Sequence, residues 1–129
     1  EYFHSEAMEI KMYIIRHYRD ITLEALAQHF SFSPSYLSRL IKKYFGISYS
    51  QLLQSIRLEK ACELLQNTDM SITDVCSQIG YENESYFIKI FHKTFHTTPH
   101  RYRKGKMSPA LHVFKKIRQE NIIHVFLPV

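Results

Sequence analysis

An eleven-residue pattern occurs twice in the chain, fifty positions apart. Residues 35–45 and 85–95 both read Ser-Tyr-[Leu/Phe]-x-[Arg/Lys]-x-[Ile/Phe]-x-Lys-x-Phe. Upstream of each copy, residues 22–27 (Thr-Leu-x-x-Leu-Ala) match residues 71–76 (Ser-Ile-x-x-Val-Cys) at a shift of 49. Similarity at a fixed period indicates a repeated structural unit. The change of one residue between the two shifts predicts an insertion in a turn.

Helix start signals open both parts of each repeat. Thr22 and Ser71 are suited to cap a short helix, and Ser33 followed by Pro34 is suited to open a longer one. The chain has only three glycines and four prolines, and alternating strand-like runs are scarce. Each half therefore reads as a short helix, a turn and a longer helix. We predict an all-α fold of about seven helices, with two tandem helix-turn-helix subdomains joined by a long linker helix.

The predicted elements divide the chain into five segments. These are an N-terminal helix of the first subdomain (1–20, helical from about Glu6 to Tyr18), the first helix-turn-helix (21–47), the linker helix (48–67), the second helix-turn-helix (68–104) and a C-terminal tail (105–129). Ser48-x-x-Gln51 resembles a capping box at the start of the linker. In the tail we expect a basic helix over 110–120 and an apolar end that covers the core, pairs with another chain or stays loose.

Acids and bases are unevenly distributed along the chain. The net charge of +5 is modest, but residues 25–58 and 85–119 contain no acid, and the second range contains nine bases. A surface that faces phosphates requires such one-sided charge, although solvated helix faces would also explain it. No apolar stretch approaches the roughly 20 residues of a membrane span, and no signal peptide opens the chain. We therefore expect a cytoplasmic protein with Cys62 and Cys76 reduced.

The second helix of each unit has to be apolar on one side and polar on the other. With Leu37, Ile41 and Phe45 facing inward, a polar face remains on each helix. It consists of Ser35, Ser38, Arg39 and Lys42 in the first copy and of Glu84, Ser85, Ile88, Lys89 and His92 in the second. Arg, Lys and Ser can bond to bases, and Ile can meet a thymine methyl group. Only the N-terminal part of such a helix reaches bases, so Lys43 and Lys93 are expected at phosphate or solvent.

Other members of the repeat are assigned to the fold. Ala27 and Cys76 share the small position that two closely crossing helices need. The Leu/Phe and Ile/Phe positions of the eleven-residue pattern face the core in this interpretation. We expect the shared tyrosine, Tyr36 in the first copy and Tyr86 in the second, to hold the fold as well.

Together these features resemble the DNA-binding region of the AraC/XylS family of bacterial transcriptional regulators. The matching pieces are Leu26-Ala27, Ser35-Tyr36-Leu37-Ser38-Arg39, Gly46, Arg57-x-x-x-Ala61-x-x-Leu64-Leu65, Ile72-x-x-Val75, Ile79-Gly80-Tyr81, Ser85-Tyr86-Phe87-x-x-x-Phe91 and Thr98-Pro99-x-x-Tyr102-Arg103. The resemblance extends from about Ile21 to Lys104. It implies seven helices, two of which are recognition helices that bind near promoters, usually in the C-terminal half of a longer regulator.

Carried over by position, the resemblance implies a set of DNA contacts. The base-reading candidates are Ser35, Ser38, Arg39, Glu84, Ser85, Ile88 and Lys89, and the phosphate candidates are Lys42, Lys43, His92, Lys93 and Arg103. Because the two copies differ in these residues, the predicted site on double-stranded DNA is asymmetric. RNA polymerase is a further expected partner. The chain begins with Glu1 rather than Met, so we expect an effector or dimerisation domain in a missing N-terminal part, and we expect no cofactor.

The chain departs from the family pattern at three positions, and Cys76 in place of the commoner Ala is the harmless one. His96 stands where the family usually has Gly, which predicts a differently shaped turn or a strained left-handed residue. Glu84 is acidic on a face that meets DNA. It either accepts a hydrogen bond from a cytosine amino group or caps the helix N-terminus, and we favour the capping role.

Three other functions are alternatives to DNA binding. His92, His96 and His100 are spaced by four and raise the possibility of a metal site, but a helix end separates them, so we favour surface histidines. No motif of a nucleophile or phosphate loop is present, and we predict no enzymatic activity. The alternative is a helix-turn-helix-derived protein-interaction module with a dimerising C-terminal tail. Arg39 and Lys89, at matching outward positions, favour DNA.

Overall fold

The computed structural model describes residues 2–105, and side chains from Ser5 onward. Within that range it has seven helices and no strand. They are α1 (Tyr2–His17), α2 (Leu23–His29), α3 (Pro34–Phe45), α4 (Tyr49–Asn67), α5 (Ile72–Gln78), α6 (Glu84–Phe95) and α7 (Pro99–Arg103). The prediction of an all-α fold with two helix-turn-helix units is confirmed. The first helix begins several residues before the predicted Glu6. The basic helix and apolar end predicted for the tail lie outside the described residues.

Local capping signals set the helix boundaries that the sequence predicts. Thr22, Ser33, Ser71 and Thr98 each accept a backbone N–H bond from the residue three positions on, at 3.0–3.2 Å. At the start of α4 the capping box is closed in both directions. Ser48 N donates to Gln51 Oε1 at 3.0 Å, and Gln51 N donates to Ser48 Oγ at 3.2 Å. These bonds satisfy donors that a helix end would otherwise leave without a partner.

The chain forms two compact units, and the boundary between them falls inside α4, after Ile56. In the first unit, Ile10 and Ile14 of α1 are fully buried in one cluster with Leu26, Leu37 and Ile41. Two polar links border this core. The Tyr44 hydroxyl donates to the Glu6 carboxylate, and the Tyr49 hydroxyl donates to the Ile21 carbonyl at 3.4 Å.

The second unit buries its own apolar residues. From α4 these are Leu58, Ala61, Cys62 and Leu65, and from α5 to α7 they are Val75, Cys76, Ile79, Phe87, Ile90, Phe91, Phe95 and Tyr102. Phe91 is central in this set because its ring lies 4.6 Å from that of Phe95 and 5.6 Å from that of Tyr102. Burial raises the pKa of the Tyr102 hydroxyl, and the neighbouring Cys62 adds to the shift. Tyr102 therefore stays neutral in this core.

The turns of the two helix-turn-helix units have the same construction. Ser31 and Gly80 occupy equivalent positions with left-handed φ of 61° and 100°. The next residue closes each turn, as Phe32 N donates to Ala27 O at 2.9 Å and Tyr81 N donates to Cys76 O at 3.0 Å. This six-to-one bond is the Schellman pattern. The two copies of the repeat align at a shift of 49 up to this bond and at a shift of 50 beyond it. The extra residue of the second copy therefore follows the bond, which confirms that the insertion lies in the turn.

The small residue predicted at each helix crossing is buried in both units. Ala27 is 1% exposed and Cys76 is 2% exposed. Cys76 also donates through Sγ to the Tyr81 carbonyl at 3.3 Å. Burial and the nearby Glu84 carboxylate raise the pKa of the Cys76 thiol. The side chain is therefore a protonated packing residue in the turn.

One assignment from the repeat is wrong. The shared tyrosine is not part of the core, since Tyr36 is 43% exposed and Tyr86 is 48% exposed. The residues that follow each tyrosine, Leu37 and Phe87, are fully buried. Identity between two copies does not separate core positions from surface positions, because both can be shared by repeated units.

His96 has the left-handed conformation anticipated from its place in the family pattern. It ends α6 at φ 60°, ψ 26°, and Gly46 ends α3 in the same region, at φ 76°, ψ −2°. A Cβ added at Gly46 would meet nothing within 4 Å. A side chain at such a left-handed helix end therefore costs conformational free energy rather than causing a steric clash. An L-residue with a Cβ pays roughly 1–2 kcal/mol in this region.

We predict that His96→Gly is more stable than His96→Ala by about 1 kcal/mol in free energy of unfolding. Both variants lose the imidazole ring, so the difference between them reports the backbone conformation alone. Urea denaturation of the two variants measures it. Equal stabilities would mean that His96 carries no conformational cost.

Candidate nucleic-acid interface

The two longer helices of the repeats, α3 and α6, begin in the same way. Ser33 Oγ accepts from Tyr36 N at 3.1 Å, and Asn83 Oδ1 accepts from Tyr86 N at 2.9 Å. In both helices the cap lies on an exposed turn. The N-terminal part of each helix, which is the part that reaches base edges in a helix-turn-helix, is therefore capped and accessible.

Each of these helices has one buried side and one exposed side. The buried residues are Leu37, Leu40, Ile41, Tyr44 and Phe45 in α3 and Phe87, Ile90, Phe91 and Phe95 in α6. The exposed residues are Pro34, Ser35, Tyr36, Arg39, Lys42 and Lys43 in α3 and Ser85, Tyr86, Lys89, His92 and Lys93 in α6. The inward stripe predicted from Leu37, Ile41 and Phe45 is confirmed.

The structure places the predicted base-reading residues at two levels of exposure. Ser35, Arg39, Ser85 and Lys89 are exposed, while Ser38, Ile88 and Glu84 are half-buried. The exposed four occupy matching positions of the two helices, one turn apart within each helix. They form a polar strip at the start of α3 and of α6, and their contacts with bases remain a prediction.

Glu84 is tied to the neighbouring helix of its own unit. It is the first residue of α6, and its Oε1 accepts a hydrogen bond from the Thr73 hydroxyl of α5 at 2.6 Å. The cap itself is Asn83. A carboxylate in the first turn is also favourable for the helix dipole. The capping role that the sequence favoured for Glu84 therefore belongs to Asn83, and Glu84 instead bonds to Thr73 from the first turn of α6.

Arg103 binds within the second unit. Its Nε donates to the Leu65 carbonyl in the last turn of α4 at 3.0 Å, and its Nη2 is buried without a hydrogen bond to the described residues. A cation at a helix C-terminus is favourable. The sequence assigned Arg103 to phosphate, and that contact remains a prediction beside this structural one.

Arg57 and Tyr81 link α4 to the turn of the second unit. The guanidinium carbon of Arg57 lies 5.2 Å from the centre of the Tyr81 ring. Tyr81 in turn stacks on Phe87 at 6.1 Å and meets Tyr86 edge-on at 5.9 Å. Both residues occur in the family pattern, but neither was assigned a role from the sequence. The link fixes the turn that leads into α6.

The described residues hold no group of three or more His, Cys, Asp or Glu that is arranged for a metal ion. His92 lies on the exposed face of α6, His96 ends that helix, and His100 belongs to α7. None of the helices within residues 2–105 is both long and apolar enough to cross a membrane.

Comparisons with known proteins point to one class of regulator. A family model described as a helix-turn-helix domain matches residues 26–105. The regulatory protein PocR of Salmonella typhimurium is 40% identical over 85 residues, which cover 66% of this chain and 28% of PocR. The probable transcription factor PqrA of Proteus vulgaris is 32% identical over 94 residues, 73% of this chain and 77% of PqrA. The chain thus spans about a quarter of PocR and most of PqrA.

One solved structure is similar to this chain in both fold and sequence. The C-terminal domain of AraT, a response regulator from Geobacillus stearothermophilus, has a TM-score of 0.72 and 39% identity, covering 79% of this chain and 86% of that domain. The match spans both helix-turn-helix units of the present chain.

We predict that Arg103→Ala lowers the free energy of unfolding by about 1–2 kcal/mol, because it removes a charged donor from a part-buried carbonyl. The matched control is Arg101→Ala, since Arg101 is exposed in the same short helix. Thermal and urea unfolding of both variants provide the comparison. If the two changes cost the same, the bond to Leu65 contributes nothing to stability.

Proposed function

Because this chain belongs to the AraC/XylS family of DNA-binding transcriptional regulators, we propose that α3 and α6 read two half-sites in successive major grooves of promoter DNA. The observation that carries this proposal is the pair of matching exposed strips, Ser35 with Arg39 and Ser85 with Lys89, on helices that are otherwise anchored by buried side chains. Successive major grooves on one face of B-DNA lie about 34 Å apart. The continuous helix α4 connects the two reading units in the chain.

The proposal divides the exposed residues into two roles. Ser35, Ser38 and Arg39 of α3 and Ser85, Ile88 and Lys89 of α6 read base edges, where Arg and Lys reach guanine and Ile meets a thymine methyl group. Lys42, Lys43, His92 and Lys93 lie further along the helices and contact phosphates. Glu84 Oε1 already accepts from Thr73, so its main role in the proposal is to support α6.

The surroundings of these helices favour a phosphate-rich partner. α3 carries one arginine and two lysines without an acid, and the only acid of α6 is Glu84, which bonds to Thr73. A protein-interaction surface would more often bring apolar residues to its centre. On α3 and α6 the centre of the exposed face is polar and basic instead.

A further proposal concerns how this domain works within a regulator. We propose that the domain acts in the cytoplasm as part of a longer regulator whose other part senses an effector or dimerises, and that the bound regulator contacts RNA polymerase. The names of PocR and PqrA describe a regulatory protein and a probable transcription factor. No catalytic step is needed for this function.

We predict that Arg39→Ala and Lys43→Ala weaken DNA binding differently. Loss of a bidentate contact to guanine costs about 5- to 100-fold in affinity for the specific site and relaxes the choice of base. Loss of a phosphate contact weakens all sequences alike and lowers the slope of log K against log salt by about one. Fluorescence anisotropy on specific and random duplexes over a salt series separates the two.

Equal losses for the two variants on specific and random DNA would show that α3 is turned differently in the groove. No binding by the unmodified chain at low salt would contradict the proposed function itself.

We predict that the bound DNA sequence is asymmetric. The first copy presents Ser38 and Arg39 where the second presents Ile88 and Lys89, so the two half-sites should differ in base composition. Selection of bound DNA from a random pool should return two unlike motifs separated by about 10 base pairs from centre to centre. A palindromic motif would instead indicate that two chains each contribute one reading helix.

A further inference from the structure

Large apolar or aromatic side chains that remain exposed are rare in the described part of the chain. Only Met12, Tyr36 and Tyr86 qualify, at 38%, 43% and 48% exposed. The two tyrosines occupy the same place in the repeat, the third residue of α3 and of α6. The described part of the chain has thus left the same ring accessible in both units.

Both rings are held in place at their base. Tyr36 meets Phe32 edge-on, with ring centres 4.9 Å apart, and Tyr86 meets Tyr81 in the same way at 5.9 Å. Phe32 and Tyr81 are the equivalent residues that close the two turns. Neither the Tyr36 nor the Tyr86 hydroxyl makes a hydrogen bond to the described residues. Each unit therefore presents a positioned tyrosine ring whose hydroxyl is available to donate a hydrogen bond.

The helical period places each tyrosine beside a lysine. Seven residues make about two turns, so Tyr36 shares a flank of α3 with Lys43, and Tyr86 shares a flank of α6 with Lys93. All four are exposed. This flank lies to one side of the central strip that begins at Ser35 and Ser85. A helix with its central strip against base edges turns such a flank toward the wall of the groove, which is the sugar-phosphate backbone.

We propose that the hydroxyls of Tyr36 and Tyr86 each donate a hydrogen bond to a backbone phosphate of double-stranded DNA and so set the depth and rotation of α3 and α6 in the groove. This inference rests on the proposed function. A phenol is a neutral donor, so its bond to phosphate adds affinity without replacing a counterion. Because the ring is already packed on Phe32 or Tyr81, little side-chain freedom is lost on binding.

The test is the pair of changes Tyr36→Phe and Tyr86→Phe, made singly and together in the full chain. Phenylalanine keeps the ring contacts and removes only the donor, so thermal unfolding should be unchanged. Dissociation constants are measured by fluorescence anisotropy on the duplex obtained by selection and on a random duplex, over a salt series. We expect each change to weaken both duplexes by roughly three- to tenfold, with the ratio between the duplexes and the salt slope unchanged.

Lys43→Ala is the matched control, because it lies on the same flank and should lower the salt slope by about one. Unchanged affinity in the double variant would overturn the inference while the proposed function stands. A loss confined to the selected duplex would also overturn it, since the phenols would then read bases. If the unmodified chain bound neither duplex, both the proposed function and this inference would fall.

Discussion

Two short turns determine how α3 and α6 are presented. In each, a backbone N–H closes onto a carbonyl five residues earlier, at 2.9 Å in the first unit and 3.0 Å in the second. That bond requires a left-handed residue, Ser31 or Gly80, and the close crossing of the two helices is occupied by a small buried residue, Ala27 or Cys76. If the angle between the two helices changed, the apolar stripe of α3 or α6 would leave the core, and its polar strip would no longer face outward.

The two copies keep this geometry while their local chemistry differs. The left-handed turn residue is Ser31 in one unit and Gly80 in the other, whereas the left-handed residue that ends the reading helix is Gly46 in one and His96 in the other. Each unit therefore has one glycine and one residue with a side chain at these two strained positions. Left-handed backbone costs least for glycine. Because Ser31 and His96 adopt it as well, the surrounding contacts determine the conformation at these positions.

Features that depend on neighbours in the sequence were predictable. The caps at Ser33 and Ser48 and the inward stripe of α3 follow from residue type and spacing alone. The contact between Arg103 and Leu65, 38 positions apart, was not, because it exists only once α7 has packed near the end of α4. The exposure of Tyr36 was missed for another reason. A repeat preserves whatever both units need, and a surface residue with a shared task is preserved like a core residue.

The first turn of α6 is fixed on two sides before any DNA arrives. Glu84 bonds to Thr73 on one side, and Tyr86 packs against Tyr81 on the other, where Arg57 also contacts the Tyr81 ring. In α3 the position of Glu84 is taken by Pro34, which has no side-chain donor or acceptor, so the equivalent turn relies on the Ser33 cap and the ring pair of Phe32 and Tyr36. Groups fixed in advance lose less entropy on binding. In the proposed readout, Ile88 and Lys89 are thus carried by the helix whose first turn has more side-chain supports. Arg39, with its planar bidentate guanidinium, lies on the helix with fewer.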